Sequence, residues 1–500
     1  MGERIRPTYV LLAIVVVLAG GLGTATTLRP TSVAVPPPAT STLPVSSETL
    51  VCPDPSALGA ASTTDVFAGA SSVAGAAGPA VKTSSSGGSI GLAALDPAVT
   101  PEATVDTRGP TANVEVTAPD APPVVVRALG AVSPGLAAAQ VTETTDGQAR
   151  GLAATRCGAP GTDFWFVGLG TEVGHTSQLH LVNAEQAAAS VQILLAGSDG
   201  PISIGGLGNV VVPARSSASY DLDALAPDQT ALAVHVVART GRVAAGVFDQ
   251  RVIDLDSAGA DWLPTAAAPA RTVVVPGVSA GTGARILQLL APGELDTRVQ
   301  VRFLTSTGAI TPVGLEDVQL EAGAVTSVAI DPVARGAAVA IELRADQPLV
   351  AGLRAVTGAA DAEHDMAYTA GAVSLTDPTY VVGAHGGTGW TSRLLLTASA
   401  AATSVTVTYV SADTGAVLGR NEVSLDAGAT TTAPDLASAP QTYGVLVTPH
   451  GPGVLGVLQL SVVRDGVQFL SLVPLVSDAL VVDVPRVRQD LSTGLSPQQR

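Results

Sequence analysis

Phe164-Trp165-Phe166-Val167-Gly168 is an apolar run closed by glycine, and it returns twice, as Val273-Val274-Val275-Pro276-Gly277 and as Tyr380-Val381-Val382-Gly383. Outward from each run the same features follow in the same order. A leucine-rich segment comes next: Leu179-His180-Leu181-Val182, Ile286-Leu287-Gln288-Leu289 and Leu394-Leu395-Leu396. Then comes a strictly alternating one: Val191-Gln192-Ile193-Leu194, Val299-Gln300-Val301-Arg302-Phe303 and Val405-Thr406-Val407-Thr408-Tyr409. Alternation of period two marks a strand with one buried face.

Turn glycines at Gly200, Gly308 and Gly415 put the copies 108 and 107 residues apart. Ala214, Ala322 and Ala427 keep the same register ahead of segments that lead into Asp221, Asp331 and Asp435. Each copy ends on two more strand-like runs, Leu232 to Val237 with Val243 to Val247, Ala337 to Leu343 with Leu349 to Val356, and Gly444 to Val447 with Val454 to Val462. Six or seven short strands in each copy predict an all-β chain of tandem immunoglobulin-like antiparallel β-sandwich modules. A propeller blade needs only about 40 to 50 residues and four strands, so this repeat is too long for one. A sandwich of this size folds alone, and the reading is therefore a string of modules with no need to close into a ring.

The chain of 500 residues then divides as follows. Residues 158–268, 269–375 and 376–486 are the three repeats, and 48–157 is a divergent β module with strand-like Val114 to Val116 and Val124 to Arg127. Residues 29–47, rich in Pro, Ser and Thr, read as an extended stalk that cannot bury a core. Residues 487–500 are a polar tail. Residues 1–8 precede an uncharged apolar run, 9–28, long enough for a transmembrane helix across the roughly 30 Å hydrocarbon layer. Arg4 and Arg6 place the short leading segment in the cytoplasm and the remainder outside. The run is either a retained signal-anchor in the cell membrane or, given Gly23-Thr24-Ala25, a cleaved signal peptide that leaves a secreted chain.

Both cysteines, Cys52 and Cys157, fall on the exported side, where pairing with each other is the simplest state; two buried free thiols are the alternative. Net charge is -17 and Lys82 is the sole lysine, so the chain lacks the clustered cations that a nucleic-acid binder needs to displace counterions.

Several landmarks occur together and in order: Leu50-Val51-Cys52-Pro53, Gly151-Leu152-Ala153 with Cys157, Phe164-Trp165-Phe166, Ala238-Arg239-Thr240-Gly241-Arg242-Val243, Asp261-Trp262-Leu263-Pro264 and Arg486-Val487-Arg488-Gln489-Asp490-Leu491. In these the chain resembles the actinobacterial exported proteins of the domain-of-unknown-function family numbered fifty-seven nineteen, from about Leu50 to Leu491. The resemblance implies an actinobacterial envelope protein with no established activity. It also implies a gene neighbourhood of membrane glycosyltransferases, and with it a link to envelope polysaccharide.

Candidate chemistry is sparse. Gly277-Val278-Ser279-Ala280-Gly281 matches the G-x-S-x-G elbow of serine hydrolases, yet that elbow must join a strand to a helix, and here a repeated strand follows. Asp361-Ala362-Glu363-His364-Asp365 and the group Asp254, Asp256 and Asp261 offer oxygen ligands of the kind calcium takes, but both read more simply as solvated loops. The histidines His175, His180, His235, His364, His385 and His450 have no zincin spacing. Trp165, Trp262 and Trp390 read as packing residues, with exposed sugar-stacking rings as the other reading.

The sequence thus predicts a non-enzymatic, membrane-anchored extracytoplasmic scaffold or interaction protein of the cell envelope, without cofactor, metal or catalytic residues. Its expected partners are the membrane, through residues 9–28, and envelope proteins or polysaccharide. A carbohydrate-binding module array on envelope glycan is the alternative, and a serine hydrolase using Ser279 a remote one.

Overall fold

A computed structural model describes residues 40–54, 61–78, 87–95, 102–117, 121–278, 280–281, 283–330, 337–358, 364–436 and 438–485. The run 9–28 expected to be a transmembrane helix, Ser279, Asp361 to Glu363, Asp331 and the tail from Arg486 lie outside these residues. Among the described residues no helix is long and apolar enough to cross a membrane. The chain divides into two units, Met1–Thr42 with Asp483–Arg500 and Leu43–Val482. In the first, Thr42 Oγ1 donates to Asp483 Oδ1 at 2.6 Å. Thr40–Pro44 is a strand where a polyproline stalk was expected; Ser41-Thr42-Leu43 is strand-prone and lacks the prolines of 36–38.

The second unit is all β apart from a single helical turn, Leu222–Leu225, among its described residues. Its strands form small antiparallel sheets built in one recurring topology. In the region 47–156, one sheet runs Ser47–Cys52, Val124–Gly130, Gly88–Ala94, Ala103–Val105, and the other Thr111–Val116, Ser62–Ala70, Leu136–Thr144, Gly151–Arg156. Counted in chain order, that is 1-6-3-4 and 5-2-7-8. The region 379–474 has the same two orders, from Thr379–His385 to Val467–Pro474. The region 163–263 follows them too, with its fourth strand split into Gly200–Ile202 and Val210–Val212. The stretch that sequence patterning singles out as divergent therefore shares the strand order of the three repeats.

Between 270 and 370 the sixth and seventh strands, expected as two, are one strand of 18 residues, Val339–Val356. Its first half pairs with Ala270–Val278 and its second with Arg285–Leu290, so it passes from one sheet to the other. Asp346-Gln347-Pro348 carries no glycine to turn the chain back.

Alternation does its expected work in the third strands. Along Thr297–Thr305, Val299, Val301 and Phe303 enter the core while Arg298 and Gln300 face out. The glycines that close the opening strands are bulge residues. Gly168, Gly277 and Gly383 have φ of 131°, 72° and 81°, and the pairing register slips beside each, between Val167 and Leu169, Val275 and Val278, and Val381 and Ala384. Positive φ is what reserves these positions for glycine.

The modules do not form an open string. Apolar clusters cross four junctions: Val51 and Val125 with Val182 and Ala244; Trp165 and Val167 with Leu290 and Val350; Val274 and Leu304 with Leu455; and Phe67 and Val141 with Val381 and Tyr380. The last of these joins the fourth module back to the first and closes a ring. Its closure is reinforced by Thr111 N donating to Ala412 O at 2.7 Å and Gly135 N to Ala479 O at 3.4 Å. The repeat is too long for a propeller blade, but a repeat of any length closes once successive interfaces rotate through a full turn, and length alone does not exclude that.

Candidate functional site

The eighth strand of every module lies inward in this ring. Gly151–Arg156, Asp256–Leu263, Met366–Ala370 and Val467–Pro474 are buried on both faces along most of their length, which is why none of them alternates. Where they converge, backbone N–H groups of different modules must find acceptors away from water. Two carboxylates supply them. Asp261 accepts from Ala154 N at 3.1 Å, from its neighbour Trp262 N at 2.8 Å and from Ser471 Oγ at 2.9 Å. Asp365 accepts from Leu152 N at 3.1 Å, Leu470 N at 2.9 Å and Met366 N at 2.9 Å.

Both side chains are fully buried, at 0% exposure, so the solvated loops expected around Asp261 and Asp365 are instead the centre of the ring. Burial pushes the Asp365 carboxyl up to about 7 against its hydrogen bonds, and Asp261 well above the usual range, with Asp365 nearby adding to the rise. Every donor aimed at these two is structural, and neither lines the cavity described below.

A second buried polar group joins the second and third modules. Asp249, at 0% exposure, accepts from His175 Nε2 at 2.8 Å, from Ser177 Oγ and from Tyr368 Oη. Burial opposes the charge on His175, but Asp249 and Glu172 outweigh it and raise the imidazole above its ordinary value. The residues are those of a serine triad in the wrong order. Here the aspartate, not the histidine, bridges the other two, so the serine hydroxyl donates to a carboxylate and no imidazole stands against it.

Room for a ligand is found in a cavity of about 430 Å³ enclosed by the first, second and fourth modules. Besides Asp163 and the hydroxyls of Thr155, Thr265 and Ser477, its polar lining comes in two groups. Asp478, 7% exposed, pairs with Arg156 and accepts from Tyr380 N at 3.1 Å. Beside them Glu48 keeps Oε2 buried and unpartnered; desolvation, helped by Asp478, pushes its carboxyl up to about 7. In the other group, His180 and Trp262 meet edge to face at 5.4 Å. They are 2% and 1% exposed, and His180 Nε2 and Trp262 Nε1 have no partner. His180 Nδ1 is bonded to Ser219 Oγ at 3.0 Å, and burial lowers this imidazole to about 4, so it is neutral at pH 7. Phe164 and Leu472 supply apolar walls.

Sequence reading passes over Glu48, Arg156 and Asp478 because nothing local marks them; they are more than 400 residues apart at the extremes and meet only through ring closure. His180 was visible only as one strand histidine among several. The remaining candidates are dispersed. His235 stacks on Trp165 at 3.6 Å and bonds Asp163, His385 stacks on Trp390 at 4.4 Å, and His450 lies against Thr406 at 2.7 Å. Trp165 is 8% exposed and Trp262 1%, so these two pack between modules. Cys52 and Cys157 form the disulfide, inside the core of the first module. Gly277 is occupied as a bulge: a Cβ there would fall 2.4 Å from Val457 Cβ. Among the described residues no group of three or more His, Cys, Asp or Glu side chains could hold a metal ion.

Compared with known proteins, residues 111–434 match the model of a family of unknown function, DUF5719. No curated protein matches the chain. Among solved structures the chain is similar to that of Thermotoga maritima 1070, with 14% identity over 21% of this chain and 93% of that one. The TM-score is 0.19, and at that score the likeness carries no argument.

Proposed function

We propose, for a chain that belongs to the DUF5719 family of unknown function, that it is a non-enzymatic extracytoplasmic scaffold of an actinobacterial cell envelope, held at the membrane by residues 9–28. Its modules are immunoglobulin-like sandwiches, and its mechanism is positioning: it presents loops of a rigid body to envelope proteins or polysaccharide.

The observation that supports this reading is the way the ring is locked. Asp261 and Asp365 gather donors from strands of different modules, so interfaces that would hinge in a flexible tether are fixed by buried hydrogen bonds. Rigidity suits a platform and gives a tether nothing. The catalytic alternative rests on Ser279, which lies outside the described residues, and the separate Ser177, Asp249 and His175 group places no imidazole against its serine. A surface array of sugar-stacking tryptophans loses its basis once Trp165 and Trp262 are packed inside.

The test is crosslinking in intact cells, followed by identification of captured molecules, with a tag after Arg500 assayed for protease access. Capture of envelope components and a cleavable tag are expected. A tag protected in intact cells would end the topology, and turnover of an ester or glycoside probe by the purified chain would end the non-enzymatic reading.

A further inference from the structure

Where the second module meets the third, one buried imidazole lies between two carboxylates. His175 is 3% exposed, and its ring nitrogens face opposite ways: Nε2 is 2.8 Å from Asp249 Oδ2 and Nδ1 is 3.2 Å from Glu172 Oε2. A carboxylate oxygen only accepts, whereas a neutral imidazole has a single N–H. In either neutral tautomer a ring lone pair would point at a carboxylate oxygen with no proton between them. The imidazolium satisfies both contacts, so the geometry puts a positive charge on His175.

The groups around the ring tie that charge to the junction. Asp249, fully buried, also accepts from Ser177 Oγ in its own module and from Tyr368 Oη in the third. Burial and Asp249 both hold Tyr368 well above the ordinary phenol range, so it stays a donor. On its other side Glu172 pairs with Arg251 at 3.2 Å. Burial opposes the charge on His175 most, and Arg354 of the third module opposes it too; Asp249 and then Glu172 outweigh them, so the imidazole stands above its ordinary value. Without that proton, Asp249 would hold Tyr368 with no cation hydrogen-bonded to it among the described residues, and a buried charge is costly unless paired.

We infer that the proton on His175 fastens the second module to the third: while it is bound, Asp249 is paired and holds Tyr368, and its release as pH rises loosens this junction. The inference concerns how the body is joined rather than what it presents, so it goes beyond the scaffold reading and does not depend on it. The sign follows from the raised value. The contribution is fully present below the unfolded pKa of about 6.5 and is lost as pH rises through the folded one.

The test combines histidine-ring NMR with hydrogen exchange of the full chain, wild type against His175→Gln and Glu172→Gln. In the wild type the His175 ring should be imidazolium at about pH 7 and titrate above about 6.5. Glu172→Gln lets a neutral ring accept at Nδ1, so it should lower that titration and thereby assign the signal. Glu172 is half-buried, and this variant keeps the inference testable even where His175→Gln does not fold. At about pH 6 the amides of Met366–Ala370 should exchange about tenfold faster in His175→Gln than in wild type, through loss of a charged hydrogen bond. At about pH 9 the two chains should agree, because the wild type has then lost the proton as well. Comparison at equal pH cancels the intrinsic exchange rate and the contributions of Asp365 and Glu48. Thr403–Ser411 in the fourth module should exchange alike in both chains. A His175 ring that is neutral at about pH 6 overturns the inference, as does equal exchange in both chains at that pH. An equal gap at both pH values overturns it too, since His175 then acts by packing alone.

Discussion

Asp261 and Asp365 serve neighbouring rungs of one strand: Asp261 Oδ1 accepts from Ala154 N and Asp365 Oδ2 from Leu152 N, each at 3.1 Å. The strand belongs to the first module, the carboxylates to the second and third, and the fourth contributes Ser471 Oγ and Leu470 N. Each aspartate is thus a part of the closure and of no single module.

Removing one should open the centre. Asp365→Ala leaves the N–H groups of Leu152 and Leu470 buried without acceptors, at about 1–3 kcal/mol each, so urea denaturation should show a loss of about 3–5 kcal/mol. Asp365→Asn keeps one acceptor oxygen and should lose less. A loss within about 0.5 kcal/mol, the level of an ordinary surface change, would mean that the carboxylate does not hold the strands together.

The same burial makes stability depend on pH in the less familiar direction. Asp365 is raised in the folded state from the usual carboxylate range to about 7, so between these values the native state binds more protons than the unfolded chain. Stability is then fully present below the unfolded pKa and is lost as pH rises through about 7. Glu48, also raised to about 7, acts in the same sense. Thermal unfolding should give a higher Tm near pH 5 than near pH 8, and Asp365→Asn should flatten that slope. A Tm that climbs across the window, with the variant parallel to wild type, would contradict the assignment.

How much of this was legible follows from where each signal resides. The opening-strand glycines were readable because positive φ at Gly168, Gly277 and Gly383 admits little else, and the cysteine pair because two cysteines on one side of an apolar leading run pair most simply with each other. The eighth strands were not. Asp256–Leu263 carries Asp256 and Asp261, and carboxylates are so seldom fully buried that the segment reads as a loop; only the convergence of strands from four modules reverses that. The first module's strand order was hidden for a related reason. Its Ala137-Ala138-Ala139 is buried on both faces, Ala138 in its own core and the other two against the fourth module, so period two disappears. The cavity residues Glu48, Arg156 and Asp478 carry no local pattern at all.

Close approach between the second and third modules rests on one missing side chain. A Cβ on Gly352 would lie 1.6 Å from Val167 O. Gly352→Ala must therefore push the two modules apart, and a loss beyond about 3 kcal/mol, or failure to fold, is expected. Gly205→Ala, where nothing lies within 4 Å, is the control and should change stability by no more than about 0.5 kcal/mol. Equal behaviour of the two variants in thermal unfolding would remove the contact from the native state.

The disulfide closes a separation of 105 residues and spans most of the first module. Replacing Cys52 and Cys157 together with serine should destabilise the chain by about 2–5 kcal/mol, with the added cost of two hydroxyls in a core where both cysteines are at most 1% exposed. Alanine at both positions separates the terms, since it removes the crosslink without burying hydroxyls. If the alanine pair unfolds at the same urea concentration as the oxidised wild type, the crosslink contributes no stability.

Closure makes a last demand, on cooperativity. In a string of independent sandwiches each module would melt alone, and calorimetry would resolve several transitions. Here Phe67 and Val141 share a core with Tyr380 and Val381, Glu143 pairs with Arg464, and Asp261 draws on strands of the first and fourth modules at once. Unfolding any one module strips apolar surface and hydrogen-bond partners from two neighbours and from the centre. The unit Leu43–Val482 should therefore melt in one transition whose calorimetric and van't Hoff enthalpies agree. Truncation after Ser374, which removes the fourth module, should abolish that transition rather than shorten it, because the residual three modules expose the face that Val381 and Leu470 had covered. Three separate transitions in the intact chain, or a truncated chain that still melts cooperatively near the original Tm, would restore the open string.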